Sequence, residues 1–142
     1  MVISKKLAKG KKQVETIEFG IHLMIDAYNC NEKDLDDANF VYSLLEGVVQ
    51  EIDMHMLTLP YIVRAKGNNI KDPGGWSGFV IIEESHMSIH TFPKRRFASI
   101  DIYSCKYFDV EKTVALLKNK LKTDMFEQYV QKRGLMYPKY NY

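Results

Sequence analysis

A serine set behind two carboxylates and ahead of two histidines makes Glu83-Glu84-Ser85-His86-Met87-Ser88-Ile89-His90-Thr91-Phe92-Pro93 the stretch best supplied for chemistry. It follows Gly74-Gly75-Trp76-Ser77-Gly78 and the apolar run Phe79-Val80-Ile81-Ile82, so a strand suited to burial turns polar at its end. Ser85 has three readings: a nucleophile toward a substrate, a self-processing site, or a turn residue. A hydrolytic serine sits in a strained Gly-x-Ser-x-Gly elbow that leads into a helix. Trp76-Ser77-Gly78 supplies only part of that pattern, and no helix follows it. In self-processing the Ser85 hydroxyl attacks the Glu84 carbonyl, the peptide C–N bond breaks, and an ester replaces the amide. A base such as His90 then takes the Ser85 Cα proton, and the ester leaves by β-elimination as the Glu84 carboxylate. The dehydroalanine that remains hydrolyses to a pyruvoyl group. Such a route needs backbone strain at the 84–85 bond, an oxyanion donor and a base.

The histidines and cysteines each carry a plainer alternative. His-x-x-x-His on a helix offers two zinc ligands, but Met87 and Ile89 alternate with His86, Ser88 and His90 at a strand period. No HExxH glutamate or Cys/His set completes a tetrahedral site, so no metal is expected. The pair reads either as strand histidines on a solvated face or as a working base. Cys105 ends an alternating strand beside a loop, as a buried structural thiol or as a proton donor. Cys30 lacks comparable neighbours and reads as core.

The elements that must position these groups follow from hydrophobic period. Residues 17–28 read as a buried strand and turn. From Asp34, a plausible cap, Leu35, Ala38, Val41, Leu45, Val48 and Ile52 form one helical stripe. Residues 54–63 read as a strand interrupted by Pro60, and Gly67–Gly75 as a loop. Strands are expected at 77–83, 85–92 and 97–105, then a helix capped by Asp109 with Val110, Val114, Leu117 and Leu121 on one face. Gly134 and Pro138 suggest an irregular end after Thr123, with one or two helical turns at most. Consecutive strands with tight loops and two helices imply an α+β fold, an antiparallel sheet covered by helices on one face. Phe79 to Ile82 are apolar on both parities, so a second sheet is expected on the other face: two protomers packed sheet to sheet, an αββα dimer.

Composition sets the class. The chain of 142 residues fits one domain, 46% apolar and 27% charged, with a net charge of +2 that makes no case for a nucleic-acid partner. Two cysteines provide no disulfide framework and fit a reducing cytoplasm. No apolar run reaches the roughly 18 residues of a membrane span, and no apolar segment follows the basic start as in a secretory signal. Residues 1–16, with their lysine cluster, read as a flexible tail.

Together, Phe19-Gly20-Ile21-His22-Leu23, Tyr28-Asn29-Cys30, Ser77 to Ile82, Glu84 to Pro93 and Ile100-Asp101-Ile102-Tyr103-Ser104-Cys105 resemble the S-adenosylmethionine decarboxylase family in its short prokaryotic form. The resemblance spans roughly residues 17–122. It implies a proenzyme cleaved between Glu84 and Ser85 into residues 1–84 and 85–142, with Ser85 becoming a pyruvoyl group that holds the substrate amine as a Schiff base. It assigns Ser77 and His90 to processing, Cys105 to protonation of the substrate carbon, and Met87, Phe92 and Lys94 to substrate binding. It further implies a small-molecule substrate, S-adenosylmethionine, and a place in spermidine synthesis. Ornithine or arginine as substrate, and an uncleaved regulatory homologue, are the alternatives. Lys94 departs from the pattern, standing where the family commonly carries an acid. The 65–75 loop is also longer than in the short bacterial forms. At about 3.3 Å per residue, Ser85 and His90 lie roughly 16 Å apart on a regular strand and on opposite faces. His90 and Ser77 are therefore expected to serve Ser85 and Cys105 of the other protomer.

Overall fold

The computed structural model describes residues 14–141. Its main sheet has six strands: β2 (Gly20–Ala27), β3 (Tyr61–Ala65), β4 (Gly75–Ile82), β5 (Ser85–Phe92), β6 (Phe97–Ser104) and β7 (Phe126–Arg133). Their order is β3-β4-β5-β6-β2-β7 and every pairing is antiparallel. Two short strands, β1 (Thr16–Ile17) and β8 (Tyr137–Pro138), pair separately. Helices α1 (Glu32–Leu35), α2 (Ala38–Glu51) and α3 (Val110–Leu121) complete the fold with a 3₁₀ turn at Pro93–Arg95. The α+β class, with helices on one face of an antiparallel sheet, is as the sequence indicates.

One parity of each central strand builds the core. Leu23, Ile25, Val80, Ile82, Met87, Ile89, Ile100 and Ile102 are buried with Val41, Leu45 and Val48 of α2 and Leu117 and Leu121 of α3. The opposite parity forms an open face. There the expectation of burial on both sides is half met: Val80 and Ile82 are buried, while Phe79 and Ile81 are 43% and 39% exposed in the protomer.

Several boundaries differ from the expected ones. The stripe from Leu35 onward splits into two helices, because Asp36 ends α1 and the Asp37 side chain accepts the Asn39 N–H to cap a new start. Asn31, not Asp34, caps α1. Asp109 caps α3 as expected, accepting from Lys112 N–H. Pro60 stands before β3 instead of interrupting it; upstream, only Met56 bridges to Ile82. Among the described residues, the segment after Thr123 holds strands where the sequence suggests helical turns or an irregular end. Phe126–Arg133 pairs along the whole of β2, with all but its first residue exposed. An edge strand can be held by ladder hydrogen bonds alone, and so shows no apolar alternation. Of the expected tail, residues 1–13 lie outside the described residues. Thr16 is already paired with Pro138, and Glu15 bonds Lys139 through backbone and side chain.

Candidate active site

Ile82 pairs with Ser85, so Glu83 and Glu84 alone form the β4–β5 turn. Two-residue hairpin loops normally match the strand twist with positive φ inside the loop, hence their preference for Asn-Gly or Gly. Neither glutamate has positive φ; Ser85 does, at 148°. That region is the province of glycine, and a side chain held there stores about 1–3 kcal/mol. The residue just after the expected scissile bond is therefore the strained one.

The Glu84 carbonyl on the other side of that bond accepts the Cys105 N–H at 2.9 Å. A donor already aimed at this oxygen suits negative charge developing on it during attack by a hydroxyl. The Glu84 side chain is buried at 8% exposure, unusual for a turn acid. Its carboxylate accepts the His55 N–H at 3.1 Å and lies 3.2 Å from the His55 imidazole Nδ1. Burial pushes its pKa up, but these His55 interactions outweigh burial and hold it below the ordinary value.

Cys105 leaves β6 exposed, so the buried-thiol alternative does not describe it. Ser104, paired with Ser85, donates to the Lys106 carbonyl at 2.7 Å and accepts the Lys106 N–H at 3.0 Å, which fixes the turn presenting Cys105. Gly20 is needed alongside: a Cβ there would collide with the Ser104 carbonyl. Gly20, Ile21, Ser104 and Cys105 help line a hollow of about 140 Å³. Small-molecule sites run from about 300 Å³ upward, so this hollow alone is too small for a nucleoside substrate. Cys30 is the core residue the sequence suggests, and burial pushes its thiol up to about 11.

Ser77 and His90 meet at the other end of the hairpin. They are register partners, with Ser77 Oγ and His90 Nδ1 2.9 Å apart. The neighbouring Thr91 hydroxyl, 2% exposed, donates to the Leu35 carbonyl and accepts the Trp76 N–H, both at 2.9 Å. The fold therefore unites Ser85 with Cys105, and Ser77 with His90, but holds the two pairs apart within one protomer. Phe92 stacks on Phe97 at 5.5 Å, and Lys94 is exposed in the 3₁₀ turn. Met87 corrects the expected substrate-contact set: its side chain is fully buried on the helix side, opposite in parity to His86 and His90.

Sequence reasoning missed a polar row across the open face beside Ser85. His86 packs edge-on against Tyr103 at 5.6 Å, Arg133 lies 4.1 Å over the Tyr103 ring, and His22 bonds Asp101 at 2.8 Å. Burial lowers the His86 pKa, and His22 and Arg133 lower it further. Strand parity was the available signal, since His22, His86, Asp101 and Tyr103 all fall on the non-core parity.

A strained serine directly after a two-residue turn, with a backbone donor on the preceding carbonyl, is an arrangement of the kind that backbone rearrangement requires. The comparisons name the family. The pattern described as S-adenosylmethionine decarboxylase matches residues 21–134, and the chain belongs to that family. A Clostridium botulinum protein named S-adenosylmethionine decarboxylase proenzyme is 37% identical over 103 residues, covering 72% of this chain and 83% of the relative. A Sulfurihydrogenibium protein of the same name is 30% identical over 120 residues, covering 82% and 84%. The crystal structure of the Aquifex aeolicus adenosylmethionine decarboxylase superposes with a TM-score of 0.71 at 24% identity, covering 89% of this chain and 99% of that one. At that identity the superposition speaks for the fold alone.

Proposed function

We propose that this chain cleaves itself between Glu84 and Ser85 and then decarboxylates S-adenosylmethionine, supplying the aminopropyl donor for spermidine synthesis. The observation that carries the reading is the positive φ of Ser85 directly after a carbonyl held by the Cys105 N–H. In the first step the Ser85 Oγ–C bond forms, the 84–85 C–N bond breaks, and the hydroxyl proton passes to the freed amine. In the second, a base takes the Cα proton, the Cβ–Oγ bond breaks, and Glu84 leaves as a carboxylate carrying the serine oxygen. Tautomerisation and hydrolysis release ammonia and leave a pyruvoyl group. Its carbonyl supplies an electron acceptor for the pair released when the substrate loses CO2. Ser85 fits that group: it opens a strand, and it neighbours the exposed thiol of Cys105, which donates the proton to the substrate carbon.

His90, activated and oriented by Ser77, is the processing base, and it reaches the Ser85 of a second protomer. Along β5 the two are five residues apart, roughly 16 Å at strand rise, beyond hydrogen-bond reach within one chain. Exposed Tyr61, Val63, Phe79 and Ile81 on the open face supply apolar area for sheet-to-sheet packing. Phe92 and Lys94 travel with His90 and so face the partner's pyruvoyl end. The setting is the cytoplasm.

Intact mass of the purified protein tests the first half: two fragments are expected, one ending at Glu84 and one beginning with pyruvoyl. A single uncleaved chain after long incubation would instead favour a regulatory homologue. CO2 release from labelled S-adenosylmethionine, ornithine and arginine tests the substrate. Co-expression of His90→Ala and Cys105→Ala chains tests the shared site: a mixed dimer retains one site with all four residues intact, so activity should return. No recovery refutes the sharing.

A further inference from the structure

The turn that carries the scissile bond is held from outside the hairpin, and the holder is a residue that the reaction scheme does not use. The segment Met54–Thr58 runs along the end of β4. Leu57 N–H bonds the Ile81 carbonyl at 2.8 Å, Met56 bridges Ile82, and Glu83 N–H bonds the His55 carbonyl at 2.9 Å. From this rail His55 engages both oxygens of Glu84, its N–H on Oε2 at 3.1 Å and its Nδ1 beside Oε1 at 3.2 Å. Glu83 approaches the same Nδ1 at 3.8 Å. On the opposite side the Glu84 carbonyl is taken by Cys105 N–H at 2.9 Å. Glu84 is thus gripped by its side chain from the 54–58 segment and by its carbonyl from the residue that follows β6, while Ser85 beside it carries the unfavourable φ.

A strained residue at an exposed turn relaxes unless its neighbours are over-determined. If the Glu84 side chain let go, the short turn could re-form around a relaxed Ser85, and the carbonyl would swing off the Cys105 donor. We propose that His55 is a positioning residue for self-cleavage: its imidazole fixes the Glu84 carboxylate so that the 84–85 bond stays strained and its carbonyl stays on the Cys105 N–H. This rests on the self-processing reading given above and adds a residue that acts through Glu84 without touching the reacting atoms.

The experiment follows conversion of full-length protein to two fragments by mass after synthesis of the intact proenzyme. His55→Ala keeps the backbone N–H but removes the ring donor. Its cleavage should slow by roughly 10- to 150-fold, the range spanned by one hydrogen bond to a charged group. His55→Asn places an amide N–H where Nδ1 sits and should return cleavage to within about threefold of wild type, which a general loss of packing would not allow. Paired with Glu84→Gln, the His55→Ala defect should be largely absorbed, since both changes break one contact. Added hydroxylamine, which cleaves an accumulated ester, should not rescue His55→Ala, because the block precedes the ester. A wild-type rate for His55→Ala, or additive effects with Glu84→Gln, overturns the proposal. Should His55→Ala fail to fold, His55→Asn and His55→Gln decide: Asn fast and Gln slow supports the clamp, and equal rates overturn it. Failure of the wild-type chain itself to cleave would count against the parent reading and is seen in the same assay.

Discussion

Replacing Ser85 by alanine or by glycine removes the attacking hydroxyl in both cases, so both chains should stay intact, and their stabilities report on the backbone alone. At an ordinary strand position alanine is the more stable choice, by about 0.4–1 kcal/mol, because glycine gains more freedom in the unfolded chain. At Ser85 the φ of 148° favours glycine, and the strain removed there is about 1–3 kcal/mol. The difference leaves Ser85→Gly ahead by roughly 0.5–2 kcal/mol, an inversion of the usual order. For a chain of this size that is roughly 2–6 °C in melting temperature. Urea titration or calorimetry at one protomer concentration measures it, since dimer formation would shift both midpoints with concentration. If Ser85→Ala is as stable as Ser85→Gly, the backbone is not strained before cleavage. Stored strain must then be dropped as a driving force for the acyl shift.

Three further outcomes follow from the same geometry. Thr91→Val orphans the Leu35 carbonyl and the Trp76 N–H and should cost about 2–4 kcal/mol in urea unfolding. In the uncleaved Ser85→Ala background, Glu84 should stabilise the chain relative to Glu84→Gln. Its folded pKa lies below the ordinary 4.5, so this advantage is complete above that pH and fades as pH falls through the folded value. An advantage that instead grew on acidification would contradict the His55 contacts. Cys105→Ala keeps the backbone donor to Glu84, so self-cleavage should persist while CO2 release falls by roughly 10²–10⁴-fold, the usual contribution of a positioned acid.

Much of the hairpin was legible in the sequence because its signals are local. Period two places Ser77 and His90 on one face, and the turn residues Glu83-Glu84 separate two runs of strand composition. The same parity could have removed Met87 from the substrate-binding set, since it falls with Ile89 and Thr91 on the helix side. What was not legible depends on partners distant along the chain. The strand Phe126–Arg133 is specified by the free edge of β2, not by its own side chains. His55 lies in a segment whose hydrophobicity suggests a strand, and its pairing with residues 81–84 is made by backbone atoms that every sequence possesses. Strain at Ser85 leaves no compositional mark at all. It arises because a two-residue turn without Gly or Asn must place its misfit somewhere.

One consequence of the two-ended hairpin concerns Lys94. The 3₁₀ turn Pro93–Arg95 follows His90 by three residues, so any arrangement that brings His90 to a partner's Ser85 also brings Lys94 toward the same opening. A lysine there repels the sulfonium of S-adenosylmethionine and repels the side-chain cation of ornithine or arginine equally, so it does not favour either alternative on sign alone. The substrates differ in what else they offer. All three share an α-carboxylate and α-amine at the reacting end; beyond it ornithine and arginine offer only a cationic side chain, whereas a nucleoside presents hydroxyls and ring nitrogens that an ammonium can donate to. Screening also weakens repulsion at an exposed side chain more than it weakens a direct hydrogen bond. Lys94 therefore weighs against the basic amino acids more than against S-adenosylmethionine. Lys94→Glu removes the repulsion and leaves an acceptor for nucleoside hydroxyls, so CO2 release from S-adenosylmethionine should rise at subsaturating substrate, and an unchanged rate would place Lys94 outside the substrate opening.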